Sequence, residues 1–461
     1  MSEAPAKLEF RSGTLILNRT PPAAIAAWFA ADPRAGIHRA RACDYPAVAL
    51  AARAAKIAVD DRVCDFPPVK FDFHKTFTPL PHQSAAYLAW RENGFRGIAA
   101  LPTGSGKTFL AMMAIRKLQR PAIVLVPTID LLEQWAAQLK EFFGVEVGML
   151  GGGEHNVRPL TVSTYDSAVL HMEFVGNRFA LLICDECHHL PGPLYRTAAE
   201  QCVAPYRLGL SATPEDDDPE RFAVLTGLLG KVVADVGVTE LEGKVLAPYI
   251  VRSIKTRLEP DERAEYEQCR QLYRNFALRA GINFSHRDAW RDFIFAASRT
   301  PEGREALHAC LRQRELSRRS RNKLAAVWEL LRRHRGERML IFTADNATAY
   351  ALGREFLLPV LTHHTKPAER RDMLEKLRSG VCDVLVTSKV LNEGVDVPEA
   401  AVGIVVSGSG SVREHVQRLG RILRSRPGKQ AVLYELVSAD TSEEYVMRRR
   451  RRHDAYRGKT R

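Results

Sequence analysis

Two series of short apolar segments alternate with helical stretches along this 461-residue chain. The first series lies between about residues 75 and 245 and includes Ala122–Val126, and the second begins with Met339–Phe342. Strands that are apolar on both faces and separated by helices are typical of parallel sheets covered by helices on each side. The sequence therefore predicts two tandem α/β lobes with parallel sheets.

The remaining segments predict three further regions. Residues 7–10 and Thr14–Leu17 flank Ser12-Gly13 as a hairpin would, and the segments that follow complete a small α+β domain over residues 1–70. The first lobe is expected at 71–245, a linker and helical insertion at 246–322, and the second lobe at 323–447. Residues 448–461 form a basic tail.

The charge of the chain favours a polyanionic partner. Lys and Arg number 67 against 54 Asp and Glu, which gives a net charge of +13 and a pI near 9.4. Residues 448–461 hold eight of the basic residues and one Asp, so the tail is either a solvated segment or a phosphate-binding one. No apolar run has the length of a membrane span, and the N-terminal residues lack a secretory pattern, so a cytoplasmic location is expected.

A glycine-rich turn follows the first strand of the first lobe. Residues 102–108 read Pro-Thr-Gly-Ser-Gly-Lys-Thr, and a helix follows. This order predicts a phosphate-binding loop, because glycines let backbone N–H groups approach phosphate oxygens at a helix N-terminus. Lys107 is expected at the β- and γ-phosphates of a nucleotide, and Thr108 at a Mg²⁺ ion. The residues expected to line the rest of the loop are Thr103, Gly104, Ser105 and Gly106.

Acidic residues end a second apolar strand of the same lobe. The strand over residues 181–184 is followed by Asp185, Glu186, Cys187 and His188. A carboxylate at such a strand end can face the phosphate loop, so Asp185 is predicted to bind the metal. Glu186 is then predicted to polarise the attacking water.

Three polar residues of the second lobe share one predicted helix face. A capping-box pattern at residues 411–414 predicts a helix start, and Gln417, Arg421 and Arg424 follow at positions i, i+4 and i+7. Two guanidiniums on one face can bracket a γ-phosphate and stabilise developing charge. The alternative from the spacing alone is a basic helix face that lies on a nucleic-acid backbone.

In order, these segments resemble the motifs of superfamily 2 helicases. Motif I is matched by residues 101–108, motif II by 185–188, motif III by 211–213 and motif VI by 417–424. Residues 126–128 resemble motif Ia, residues 161–167 resemble a DNA-strand motif of the first lobe, and residues 391–398 resemble motif V. Narrower features are similar to helicases of the XPB/Rad25 type in its short prokaryotic form. They are residues 362–365 with 369–370, residues 407–414 and residues 433–436. Residues 259–281 resemble that family's helical thumb, and the first 70 residues match its damage-recognition domain in size and position only.

The resemblance implies a DNA repair helicase in which two RecA-like lobes bind ATP and Mg²⁺, with DNA and a partner nuclease as partners. Arg421 and Arg424 would act as arginine fingers, and Gln417 would place the water. Gln83 would read the adenine, and Gly394 and Asp396 would lie at the lobe interface near the nucleotide. His188, Ser211 and Thr213 would couple hydrolysis to lobe movement. The residues implied to bind DNA are Pro127, Thr128, Thr164 and Tyr165.

The sequence departs from the strict phosphate-loop pattern at one position and from the family pattern at two places. Leu101 stands where the strict phosphate-loop motif has Gly. Leu80 stands where the adenine motif of the family usually has Arg. Residues 215–218 read Glu-Asp-Asp-Asp where the family carries an Arg-Glu-Asp element linked to unwinding. Translocation with little strand separation is therefore an open alternative.

Two other functions remain compatible with the sequence. One is an RNA helicase of the DExH class, and the other is a DNA-binding scaffold that uses nucleotide as a clamp with weak turnover. The XPB-like segments argue against the first, and Glu186 with the arginine pair argues against the second. The preferred interpretation is a DNA-stimulated ATPase that moves 3′ to 5′ on DNA.

Overall fold

In the computed structural model the described residues are 6–74, 77–214, 218–284, 286, 288–388, 400–407 and 431–450. The chain divides near residue 237 into two compact units. The first unit contains a small N-terminal domain and a large parallel sheet, and the second contains a smaller parallel sheet with a group of helices. This mixed α/β architecture confirms the predicted fold class.

The N-terminal domain is a five-stranded sheet with the strand order β3-β4-β2-β1-β5. Its elements are β1 (Ala6–Arg11), β2 (Thr14–Leu17), α1 (Ala23–Ala26), β3 (Ala30–Asp32), β4 (Ile37–Arg41), α2 (Tyr45–Ala54) and β5 (Val59–Arg62). The predicted hairpin is confirmed, because β1 and β2 pair antiparallel. The edge strand β5 was not predicted, since Asp60 and Asp61 interrupt any apolar pattern there.

The first lobe is built on an eight-stranded sheet with the order β13-β6-β12-β11-β7-β10-β8-β9. All neighbours are parallel except β8 and β9. The strands are β6 (Arg96–Ala100), β7 (Ala122–Val126), β8 (Gly148–Gly151), β9 (Glu154–Asn156), β10 (Leu160–Thr164), β11 (Leu181–Asp185), β12 (Tyr206–Ser211) and β13 (Val232–Asp235).

Helices cover both faces of this sheet. They are α3 (Pro81–Glu92), α4 (Lys107–Leu118), α5 (Ile129–Phe143), α6 (Tyr165–Val175), α7 (Arg196–Glu200) and α8 (Pro219–Leu229). The central strands β7 and β11 are buried along their whole length, as the continuous apolar runs predict. Because β6, β12 and β11 are parallel neighbours, the segments that follow them leave the same edge of the sheet.

The second unit has a six-stranded parallel sheet with the order β14-β19-β18-β15-β17-β16. Its strands are β14 (Tyr249–Thr256), β15 (Met339–Phe342), β16 (Val360–Leu361), β17 (Val384–Thr387), β18 (Val402–Val405) and β19 (Ala431–Ser438). Its helices are α9 (Val238–Leu241), α10 (Pro260–Arg279), α11 (Ala289–Ser298), α12 (Pro301–Arg318), α13 (Arg321–Arg333), α14 (Asn346–Phe356), α15 (Pro367–Ser379) and α16 (Ser442–Arg450).

One part of the predicted linker belongs to this sheet. The sequence predicted linker and helices over residues 246–322, whereas β14 pairs in register with β19 along its whole length. The strand was missed because Arg252 and Lys255 are exposed and break the apolar run. The helices that follow, α10, α11 and α12, pack around the buried ring of Phe293.

The eight cysteines all lie within the described residues and are free thiols. Among the helices that the structure describes, none combines the length and the apolar composition that crossing a bilayer requires.

Candidate nucleotide site

The phosphate loop lies between β6 and α4, as the sequence predicts. Gly104 and Gly106 both have φ of +85°, a backbone conformation that residues with a Cβ rarely adopt. Packing also requires a glycine at the second position, because a Cβ on Gly106 would lie 2.2 Å from Nε2 of Gln83. The hydroxyl of the buried Ser105 donates to the carbonyl of Pro102 at 2.7 Å and closes the turn.

Gln83 supports the phosphate loop from α3. Its Nε2 donates to the carbonyls of Ser105 and Gly106 at 3.1 and 3.2 Å, and its Oε1 accepts from the backbone N–H of Leu80 at 3.0 Å. His82 adds a 2.7 Å hydrogen bond between its Nε2 and the Ser105 carbonyl. The amide of Gln83 therefore holds the loop through backbone contacts, and its adenine-reading role stays a prediction.

The acidic pair lies beside the phosphate-loop lysine. Oε1 of Glu186 is 3.7 Å from Nζ of Lys107, and both side chains are largely buried. Burial and the neighbouring Glu186 carboxylate raise the pKa of Asp185 to about 6. Glu186 adopts a left-handed backbone with φ of 46°, a strained conformation that is found at functional sites.

A chain of polar contacts continues from Glu186 to the end of β12. Nδ1 of His188 is 3.5 Å from Oε2 of Glu186 and 3.3 Å from Oγ of Ser211. Oγ of Ser211 also accepts from the backbone N–H of Thr213 at 3.2 Å. The structure thus brings together Lys107, Glu186 and the three residues predicted to couple hydrolysis to movement.

The oxygen atoms at this site fit a magnesium ion. Mg²⁺ prefers oxygen ligands and takes one or two carboxylates, with water and phosphate oxygens completing its shell. Oε2 of Glu186 is buried and accepts no hydrogen bond from the described residues, because its 3.5 Å contact with Nδ1 of His188 lacks hydrogen-bond geometry, while Asp185 lies next to it. Within those residues no three His, Cys, Asp or Glu side chains converge as a protein-only metal site would require. Thr108 lies half-buried in the first turn of α4.

Sequence reasoning missed one residue that orients Asp185. The indole Nε1 of Trp135, on α5, donates to Oδ2 of Asp185 at 2.9 Å in the protein interior. The backbone N–H of Glu186 donates to Oδ1 at 3.0 Å, so both carboxylate oxygens are held. In the sequence Trp135 reads as one apolar position of an amphipathic helix, and nothing there connects it with an aspartate fifty residues later.

Two predicted DNA contacts are corrected. The Tyr165 side chain is 1% exposed, and its hydroxyl donates to the backbone carbonyl of Asp185 at 2.9 Å, so it cannot reach DNA. The buried hydroxyl of Thr164 caps α6 by accepting from the Ser167 N–H. Pro127 and Thr128 are half-buried at the start of α5, and their contact with DNA stays a prediction.

Several predicted residues lie outside the part of the chain that the structure describes. They are Gly394, Asp396, Gln417, Arg421, Arg424 and residues 215–217 of the acidic segment. Asp218, the last residue of that segment, is described, and its carboxylate caps α8 by accepting from the N–H of Glu220 at 3.1 Å.

Three family models match the chain. Residues 8–63 match the xeroderma pigmentosum group B helicase damage recognition domain, and residues 76–216 match the res subunit of type III restriction enzymes. Residues 306–458 match the ERCC3/RAD25/XPB C-terminal helicase. The first of these matches covers the N-terminal domain, where sequence reasoning had only size and position.

Related proteins agree with these matches. The chain is 38% identical over 397 residues to the DNA 3′-5′ translocase XPB2 of Sulfurisphaera tokodaii, covering 86% of this chain and 89% of that protein. It is 30% identical to the DNA 3′-5′ helicase XPB of Mycobacterium tuberculosis, covering 78% of this chain and 60% of that protein. A crystal structure of the Pyrococcus furiosus Hef helicase domain superimposes with a TM-score of 0.54 at 18% identity, over 80% of this chain and 97% of that domain, which indicates a shared fold.

Proposed function

The chain belongs to the XPB family of superfamily 2 DNA helicases, and we propose that it is a DNA-stimulated ATPase that moves 3′ to 5′ on DNA during repair. One observation carries the proposal: Lys107, Glu186 and His188 form a continuous set of contacts at the edge of a parallel sheet. A lysine on a glycine-rich loop can bind phosphate oxygens, and a buried carboxylate beside it can position a water, which are two tasks of nucleotide hydrolysis.

Each described side chain of the site has its own role in ATP hydrolysis. The backbone of the phosphate loop and Lys107 bind the phosphates, while Glu186 orients a water and accepts its proton. Asp185 and Thr108 would hold Mg²⁺, which when bound neutralises charge on the phosphate oxygens. His188 and Ser211 then connect Glu186 to the end of β12, so a change at the carboxylate has a direct route to the neighbouring strand.

The resemblance extends the proposal to residues outside the described part. Arg421 and Arg424 would stabilise the transferred phosphoryl group, Gln417 would place the water, and Gly394 and Asp396 would contact the nucleotide. A partner nuclease and a cytoplasmic location are likewise proposals. The acidic residues at 215–218, where the family has an Arg-Glu-Asp element, favour translocation with weak strand separation.

The test is the ATPase rate of the pure protein with single-stranded, forked and duplex DNA, with RNA, and without nucleic acid. We expect stimulation by DNA and a loss of about two orders of magnitude or more in Lys107→Ala. Lys117→Ala removes an exposed lysine from the same helix and should retain the parent rate. Equal rates with and without nucleic acid would refute the motor, and preferential stimulation by RNA would indicate the DExH alternative.

A second measurement separates movement from strand separation. Displacement of streptavidin from a biotinylated single strand reports movement, and release of a labelled strand from a fork reports unwinding. We expect the first activity to exceed the second. Hydrolysis limited to a single turnover would instead support the scaffold that uses nucleotide as a clamp.

A further inference from the structure

A cavity of about 590 Å³ lies within the first unit, between the N-terminal domain and the first lobe. We call it the arginine cavity. One wall comes from α2 and the segment that leads into it, and the other comes from β6, β12, α7 and α8. Its charged lining residues are Arg41, Asp44, Arg96, Arg196, Glu200 and Arg207.

The lining of the arginine cavity carries a net positive charge. Four guanidiniums face two carboxylates, which leaves a formal balance of +2. Asp44 is engaged by Arg41 through two hydrogen bonds of 2.9 and 3.0 Å, and Glu200 lies 4.0 Å from Nε of Arg196. Among the described residues, no carboxylate lies within ion-pairing distance of the other two guanidiniums, those of Arg96 and Arg207.

These two guanidiniums are held close together by a single acceptor. The carbonyl of Leu228, at the end of α8, accepts from Arg96 at 3.1 Å and from Arg207 at 3.0 Å. Arg207 is fully buried, and its remaining hydrogen bonds go to the carbonyls of Ala199, Cys202 and Ala204. Arg207 is therefore a fixed internal charge that stabilises two helix C-termini.

Arg96 differs from Arg207, because most of its hydrogen-bond donors have no acceptor among the described residues. Its bond to Leu228 is the one hydrogen bond that the described residues give it, and a guanidinium has five donors. Burial, and to a smaller extent repulsion by the charge of Arg207, lower the pKa of Arg96 to about 10. An anion beside Arg96 would offset this repulsion and accept hydrogen bonds from the N–H groups that Arg96 does not use.

We propose that the arginine cavity binds a phosphoryl group, with Arg96 and Arg196 as its principal donors and Arg207 as a fixed charge behind them. A planar guanidinium binds phosphate oxygens in a bidentate manner, and the cavity volume is within the range of ligand sites. The ligand would connect the N-terminal domain to the first lobe, since each contributes one wall. This site is separate from the phosphate loop and does not depend on the proposed ATPase activity.

A DNA backbone phosphate and a free polyphosphate offer the same chemistry, so the experiment uses both. The full chain carries Lys107→Ala, which weakens phosphate binding at the loop. Pyrophosphate and a short single-stranded oligonucleotide are each titrated by calorimetry at fixed ionic strength into this parent, and into versions with Arg96→Gln or Arg196→Gln. Arg53→Gln removes an exposed charge from α2 outside the cavity and is the control.

We expect Arg96→Gln and Arg196→Gln each to weaken binding of at least one probe by roughly tenfold or more, with Arg53→Gln unchanged. A loss with the oligonucleotide identifies a DNA phosphate as the ligand, and a loss confined to pyrophosphate identifies a free polyphosphate. If Arg96→Gln does not fold, the partly exposed Arg196 decides the question. The proposal is overturned if neither probe binds the parent, or if both affinities are independent of the cavity arginines.

Discussion

Replacing Trp135 with Phe tests whether the orientation of Asp185 matters for metal binding. The substitution keeps an aromatic ring on α5 and removes the indole N–H that donates to Oδ2 of Asp185 at 2.9 Å. The other oxygen, Oδ1, keeps its contact with the backbone of Glu186. The carboxylate then has one fixed oxygen instead of two and can rotate.

The size of the effect follows from the type of contact. A hydrogen bond to a charged group contributes about 1.5–3 kcal/mol, and removing a residue that orients a metal ligand typically lowers metal affinity by about 10- to 100-fold. We therefore expect the Mg²⁺ concentration at half-maximal ATPase rate to rise by about one to two orders of magnitude. The smaller ring also leaves a cavity, so Trp135→Phe should lower the free energy of unfolding by roughly 2–4 kcal/mol.

Trp90 provides a matched control for this experiment. It is buried in the same core, and its Nε1 donates to the backbone carbonyl of Arg207 at 2.8 Å. Trp90→Phe therefore loses a similar ring and a similar hydrogen bond, but it has no contact with the acidic pair. We expect a comparable loss of stability in urea unfolding with an unchanged Mg²⁺ requirement.

Comparing Trp135→Phe with Trp90→Phe distinguishes a loss of Asp185 orientation from a general loss of core stability. If Trp135→Phe keeps the parent Mg²⁺ requirement, the indole does not orient a metal ligand and the reasoning is wrong. The same conclusion follows if both variants raise the requirement equally, because a less stable core would then explain the change.

Three further predictions concern the loop, the coupling residue and the tail. Gly106→Ala should abolish nucleotide binding in a filter-binding assay, because a Cβ would displace Gln83, whereas Gly153→Ala, also at positive φ but in open space, should bind normally. His188→Ala should retain basal ATPase activity and lose most of its stimulation by DNA; unchanged stimulation would exclude the coupling role. Removing residues 448–461 should weaken DNA binding and lower the slope of log affinity against log salt, and an unchanged slope would make the tail a solvated segment.

The sequence predicted the elements whose patterns are local. The strands β7 and β11 are continuous apolar runs, and such runs identify central strands of a parallel sheet without any tertiary information. The edge strands β5 and β14 escaped prediction because an edge tolerates charged residues on its exposed side. Edge strands are recognised from their partners, and partners cannot be read from one segment.

The same distinction applies to the site. Lys107 and Glu186 were predicted because the chemistry of phosphate binding fixes residue types within a few positions of a strand end. Tyr165 was assigned to DNA by resemblance, and its burial against the end of β11 became visible only once α6 was packed on the sheet. Trp135 and Arg207 act through contacts that cross the fold, so no short pattern could reveal them.

The position of β14 has a consequence for how the second unit forms during synthesis. Among the described strands, this edge strand has one neighbour, β19, which begins 175 residues after β14 ends (431 − 256). The ribosome therefore releases β14 long before its partner exists, while the large sheet of the first unit already has all of its strands. Contacts of such separation form slowly and leave intermediates exposed. A nascent chain that stops before residue 431 would carry a folded first unit followed by a sheet with an unpaired edge, a natural target for chaperones and proteases.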